Sequence, residues 1–189
     1  VLQKKRPEII VAGTEKYDVS ILDTCPNLRM ISRVGIGLDS VDLDECKKRG
    51  ICVTYTPDAP TNAVAELTIG QIISLLRKTW IVDSEMRSGN WDRFIGREIS
   101  NCTIGIIGAG RIGSEVIKKL SSLCPKRMLY TDTDPSREIF PEYEWSSKDR
   151  ILEECDVISL HIPLTKHNVK YIGTKELSIL KKDACILNT

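Results

Sequence analysis

A chain of 189 residues, 41% apolar and 28% charged with a net charge of +1, is long enough to bury a core in one or two domains. The basic clusters Lys4-Lys5-Arg6 and Lys47-Lys48-Arg49 are short and the second sits among acids, so a nucleic-acid footprint is not expected. No apolar run approaches the length of a membrane span, and no signal-peptide pattern opens the chain.

In chain order, residues 7–12 read as a strand, 17–24 as a short helix and 28–33 as a second strand. Val34-Gly35-Ile36-Gly37-Leu38 then makes a glycine-bearing turn at a strand's carboxyl end, where ligands of open α/β sheets sit. Residues 41–49 form a helix with Asp42 and Asp44 near its start, and Gly50 suits the left-handed position after its end. Residues 51–54 are a third strand. After a loop with two prolines, apolar residues at Val64, Leu67, Ile72, Leu75 and Leu76 mark a long helix over 61–78. Helical periodicity continues through 80–87, and an irregular crossing follows. The division expected is a first domain over 1–80, a connection over 81–100 and a second domain over 101–189.

The second half opens with the most informative stretch. Residues 103–107 are apolar and largely β-branched, the make-up of a buried parallel strand. Gly108, Gly110 and Gly113 follow as G-x-G-x-x-G where the period changes to that of a helix. The first allows a tight turn, the second lets backbone approach a pyrophosphate, and the third brings helix and strand close. The helix starting near Arg111 turns its unpaired N–H groups and positive dipole end to the same place. A strand over 128–132 ends in Asp132, nineteen residues after Gly113, where a ribose 2′-hydroxyl needs an acceptor. Asp134 is the rival acid but stands one step past the strand, next to Pro135. The motif therefore predicts a dinucleotide, and the acid favours NAD over its 2′-phosphate form.

The stretch 133–143 reads as loop. Ser146 and Asp149 have capping-box spacing for a helix to Glu154, residues 156–160 form a strand, Thr174 caps a helix over 175–180, and 184–187 form a last strand. Cys155, His161 and His167 are evenly spaced, but they fall before a strand, at its end and in the loop beyond. No metal site is expected. Seven cysteines, an odd number with no C-x-x-C pair, read as reduced and mostly buried thiols, which fits a cytoplasmic protein.

These pieces resemble the D-isomer-specific 2-hydroxyacid dehydrogenase family. The carriers are Arg33-Val34-Gly35-Ile36-Gly37-Leu38-Asp39-Ser40-Val41-Asp42, Val64-Ala65-Glu66-Leu67, Gly89 with Trp91, and the glycine motif. The run Cys155 to Thr165 containing L-H-I-P-L-T and the terminal Ile186-Leu187-Asn188-Thr189 complete the set. The resemblance implies a partial Rossmann-type doubly wound α/β domain, preceded by part of a flavodoxin-like substrate domain. It implies hydride transfer between NAD and C2 of a D-2-hydroxy acid. By the same resemblance, the amides of Ile36 and Gly37 hold the substrate carboxylate and those of Arg111 and Ile112 face the pyrophosphate. His161, Pro163 and Thr165 border the adenosine half. A homodimer is implied for the full-length protein.

Departures from the family pattern are Tyr55 and Pro60-Thr61-Asn62-Ala63, near the substrate and nicotinamide region, and Tyr171 at a usually aliphatic position. The family's substrate-anchoring arginine, acid/base histidine and its glutamate are not among these 189 residues. The resemblance therefore implies an interior fragment with no catalytic residue of its own. A non-catalytic NAD(H)-binding regulator of the same fold stays open, and more remotely a Rossmann enzyme of the adenosylhomocysteinase type.

Overall fold

The computed structural model of the protein describes residues 2–165 and 167–189. By their internal contacts these form two units, one of residues up to Pro60 together with Pro163–Val169, the other of Thr61–Ile162 and Lys170–Thr189.

The first unit begins with a single helical turn, α1 (Leu2–Lys5). Its sheet holds β1 (Ile9–Ala12), β2 (Met30–Arg33) and β3 (Cys52–Tyr55), parallel and in that order. Two short helices connect the strands. In α2 (Val19–Asp23), Asp18 caps the amino end by accepting the Ile21 N–H at 3.1 Å. In α3 (Leu43–Lys48), Asp42 does the same for Glu45 at 2.9 Å. Both helices pack on one sheet face, where Ile10, Ala12, Ile31, Leu22 and Cys46 are buried together. The alternation of β1 turns Ile9 and Val11 to the other face, 61% and 72% exposed.

The second unit opens with α4 (Thr61–Arg77), which ends where Lys78 takes a left-handed conformation; α5 (Thr79–Arg87) starts afresh beyond it. The helical periodicity expected through residue 87 is therefore broken at one residue. The sheet comprises β4 (Thr103–Ile107), β5 (Arg127–Thr131), β6 (Glu144–Trp145), β7 (Val157–Leu160) and β8 (Cys185–Asn188). All pairings are parallel and the order is β6-β5-β4-β7-β8. Strand order reverses at β4 and β7, the signature of a doubly wound, Rossmann-type sheet.

Both faces of this sheet are covered, which accounts for β4 being buried at every residue. On one face Ile104 and Ile106 pack with α4 and with α6 (Arg111–Ser121), through Ala65, Ile72, Val116, Ile117 and Leu120. On the other, Ile107, Leu129 and Ile158 pack with α7 (Lys148–Glu154). The last helix is α8 (Thr174–Ser178). Gly105 sets how near α7 lies: a β-carbon there would overlap Ile151 and come within 2.9 Å of the Cys155 sulfur.

Three local expectations need correction. Glu144 and Trp145, unassigned in the sequence reading, form the short edge strand β6. Arg127 ties it down through Glu144 at 2.7 Å, and Tyr130 contacts Trp145 and Phe140 edge-on. The cap of α7 is Ser147, whose hydroxyl accepts the Arg150 N–H, while Ser146 is buried and its hydroxyl has no partner among the described residues. The cap of α8 is at Gly173, not Thr174. The Glu176 carboxylate reaches back to the Gly173 N–H at 3.0 Å and pairs with Lys148 at 2.9 Å.

Candidate functional site

The carboxyl edge of the five-stranded sheet gathers most of the predicted residues. The chain leaves β4 at Gly108, whose φ of +96° is open to glycine and strained for other residues. Its N–H donates to the Thr131 carbonyl at 2.8 Å, and the His161 N–H donates to the Ile107 carbonyl at the same distance. Backbone also fills the space beside Gly108: a β-carbon there would lie 2.5 Å from the His161 carbonyl oxygen. The glycine turn and the His161 strand end are thus packed against each other, at the point where strand order reverses.

Gly113 lies in the first turn of α6, and a β-carbon on it would overlap the Gly108 carbonyl oxygen. Gly110, between them, is different. It stands at the amino end of α6 with no side chain to cap the helix, and among the described residues nothing lies within 4 Å of where its β-carbon would point. The first-turn N–H groups of Ile112 and Gly113 have no carbonyl four residues back within the helix. This open space before a helix amino end has the shape and polarity for a pyrophosphate, so the residues present fit the diphosphate of a dinucleotide.

Asp132 follows directly on β5, and its carboxylate accepts two backbone N–H groups, Ala109 at 2.8 Å and Asp134 at 3.0 Å. This fixes the acid against the glycine turn with lone pairs remaining for a ligand. The rival Asp134 is engaged locally, accepting the Ser136 N–H at 3.0 Å.

His161 is largely enclosed, and burial lowers its pKa to about 4, so the ring is neutral at physiological pH. Its Nε2 lies 2.9 Å from the buried Ser159 hydroxyl. Cys155 is sealed under α7 and burial pushes its thiol up to about 12, which makes it inert. Pro163 and Thr165 group with the first unit. They belong to a self-tied loop in which Asn168 donates to the Pro163 carbonyl at 2.6 Å and accepts the Thr165 N–H at 2.7 Å.

In the first unit, the turn after β2 is pinned on both sides. The Val34 N–H donates to the Ala12 carbonyl, and Gly35 exchanges hydrogen bonds with Thr56, at 2.8 Å to its hydroxyl and 3.2 Å from its N–H. Among the described residues the N–H groups of Ile36 and Gly37 have no acceptor. Two adjacent free donors at a strand's carboxyl end suit a carboxylate.

The sequence reading did not anticipate Thr68 in α4. It is buried, and its hydroxyl lies 3.3 Å from that of Thr189 beyond β8. A polar residue on an otherwise apolar helix face was the available signal.

Comparison with known proteins adds to this geometry. Residues 69–189 match the family model described as D-isomer specific 2-hydroxyacid dehydrogenase, NAD binding domain. A glyoxylate reductase of Thermofilum pendens is 39% identical over 185 residues, covering 93% of this chain and 54% of that protein. A hydroxypyruvate reductase of Thermotoga maritima is 33% identical, covering all of this chain and 62% of its own length. Among solved structures, a D-lactate dehydrogenase of Aquifex aeolicus complexed with NAD and lactic acid superposes with a TM-score of 0.88 at 32% identity, over the whole of this chain and 58% of that one. The chain thus spans a little over half the length of these relatives.

Proposed function

Since the chain belongs to the D-isomer specific 2-hydroxyacid dehydrogenase family, we propose that the protein is an NAD-dependent oxidoreductase acting on the CH–OH group of a D-2-hydroxy acid. The observation that carries this is the carboxyl edge of the second sheet. There an open helix amino end at Gly110 and a carboxylate at Asp132 stand side by side, joined through the Ala109 N–H. When bound, the nicotinamide supplies the hydride acceptor or donor. This chain's residues bind and orient it. Gly110 and the first turn of α6, with Arg111, Ile112 and Gly113, receive the diphosphate. Asp132 accepts from the adenosine ribose, and its charge repels a 2′-phosphate. His161, with Pro163 and Thr165, lines the adenosine side, where a neutral ring avoids attracting the phosphates into the wrong place.

The substrate side falls to the first unit. The unpaired N–H groups of Ile36 and Gly37 hold the carboxylate of a 2-hydroxy or 2-keto acid without adding a competing charge. Working boundaries are a substrate domain over 1–80, a connection over 81–100 and an NAD domain over 101–189. No residue of this chain is assigned the acid/base role: His161 is largely enclosed and hydrogen-bonded to Ser159, and His167 belongs to the self-tied loop. The 189-residue chain by itself therefore transfers hydride negligibly, since loss of a positioned acid/base costs roughly a hundred- to ten-thousand-fold. Exposed Trp91 and Ile95, 77% and 91% accessible, support a homodimer. Among the described residues no helix is long and apolar enough to cross a membrane. The cysteines are free, which supports a reducing, cytoplasmic setting.

The test is NADH oxidation by the intact protein against a panel of 2-keto acids including glyoxylate, hydroxypyruvate and pyruvate. Turnover with at least one, dependent on NADH and weak with NADPH, is expected. Binding of NADH with no turnover on any member would favour a non-catalytic NAD(H)-binding protein.

A further inference from the structure

Thr68 lies in the second turn of α4 with no exposed surface, yet it carries a hydroxyl. Buried hydroxyls are partnered, and this one has two neighbours: the Val64 carbonyl oxygen at 2.8 Å and the Thr189 hydroxyl at 3.3 Å. A hydroxyl has one proton and two lone pairs. The carbonyl can only accept, so the Thr68 proton goes to Val64, the usual arrangement for a threonine within a helix. Thr68 is then left with lone pairs toward Thr189, and Thr189 must be the donor between them. The consequence falls on Thr189. With its proton committed to Thr68, its oxygen presents only lone pairs to whatever lies at the mouth of the sheet.

That mouth is where the far end of a dinucleotide has to run. Asp132 stands beyond β5, Gly110 beyond β4, and β7 and β8 continue the sheet on the opposite side. A molecule with its ribose on Asp132 and its diphosphate over Gly110 extends across β7 toward β8. Strand spacing puts β8 about 10 Å from β4, within reach of a ribose and a ring. We propose that Thr68 is a positioning residue for the nicotinamide half of the cofactor: it fixes the Thr189 hydroxyl as an acceptor-only group that takes a hydrogen bond from the carboxamide NH2. The inference rests on the dinucleotide reading above, and it assigns a role to a buried side chain that touches no ligand itself.

Calorimetric titration of the intact protein with NAD, ADP-ribose and nicotinic acid adenine dinucleotide tests it. ADP-ribose lacks the ring, and the third ligand carries a carboxylate, with no N–H, where NAD has its amide. Wild type is expected to bind NAD more tightly than the nicotinic acid form. Thr68→Val should weaken NAD roughly three- to tenfold, the effect of one neutral hydrogen bond. The same variant should leave ADP-ribose unchanged and narrow the gap between the two dinucleotides. Thr68→Ser, which keeps the hydroxyl, should restore wild-type values. If Thr68→Val does not fold, Thr189→Val takes its place with the same expectations. Equal weakening of NAD and ADP-ribose, or no change in either, overturns the inference while the dinucleotide reading stands. Wild-type protein that binds neither NAD nor ADP-ribose overturns both.

Discussion

Gly113 and Gly108 touch across the start of α6, and the Gly108 carbonyl oxygen occupies the place that any side chain at 113 would need. Gly110 is the opposite case: its backbone is extended, at φ −69° and ψ −157°, and a β-carbon would meet nothing among the described residues. The two glycines therefore separate folding from binding. Gly113→Ala should cost about 3 kcal/mol or more, by forcing the helix away from the turn, and should show as a large fall in melting temperature. Gly110→Ala should melt with the wild type yet bind NAD at least tenfold more weakly, because its methyl group would fill the space that the proposed function gives to the diphosphate. Calorimetry of unfolding and of binding on both variants checks the pair.

Gly105 makes a prediction about packing alone. A β-carbon there runs into Ile151 of α7 and the sulfur of Cys155 at its end, both buried. Gly105→Ala should destabilise the second unit by about 1–3 kcal/mol through overpacking. Where the variant still folds, affinity for NAD should be preserved, because α7 covers the sheet face away from α6. Denaturant unfolding followed by an NAD titration distinguishes this from a loss at the site.

His161 gives the acid limb of stability a definite sign. Its pKa falls from the ordinary 6.5 to about 4 on folding, because burial disfavours the charged ring. Between those values the unfolded chain binds a proton that the folded chain does not, so stability rises with pH through this window. The loss on going from pH 6.5 to 4 is on the order of 3 kcal/mol for this one group. His161→Gln removes the titration, and its stability should fall less steeply than that of the wild type over pH 6.5 to 4. Parallel curves would mean that the ring charges in the folded protein.

The glycine turn, its flanking strand and helix, and the place of Asp132 at the end of β5 were legible because their signals are local: period, turn chemistry and an acid at a fixed offset. What escaped the sequence depends on distant partners. Two residues, Glu144 and Trp145, carry no strand signal of their own, and β6 exists because Arg127, Arg150 and Tyr130 hold it there. Ser146 and Ser147 are equally good caps on paper; the chain's path decides which hydroxyl reaches the Arg150 N–H. At α8 the capping oxygen comes from Glu176, a carboxylate also engaged by Lys148 28 residues earlier, and that pairing lowers its pKa to about 2. Thr68 was passed over for a related reason. Its partner is 121 residues away at the end of another element, and the one signal, a polar residue on the apolar face of α4, does not say which group it meets.

The most direct test of the whole reading is titration of the intact protein with NAD, comparing the wild type with Asp132→Ala. The carboxylate that holds the Ala109 N–H is taken to hold a ribose hydroxyl as well. NAD should therefore bind the wild type and raise its melting temperature, by about 2.7 kcal/mol of added stability at a hundredfold excess over Kd. The variant should lose at least tenfold in affinity. A wild type that NAD leaves unshifted, or a variant that grips it equally well, would contradict the account.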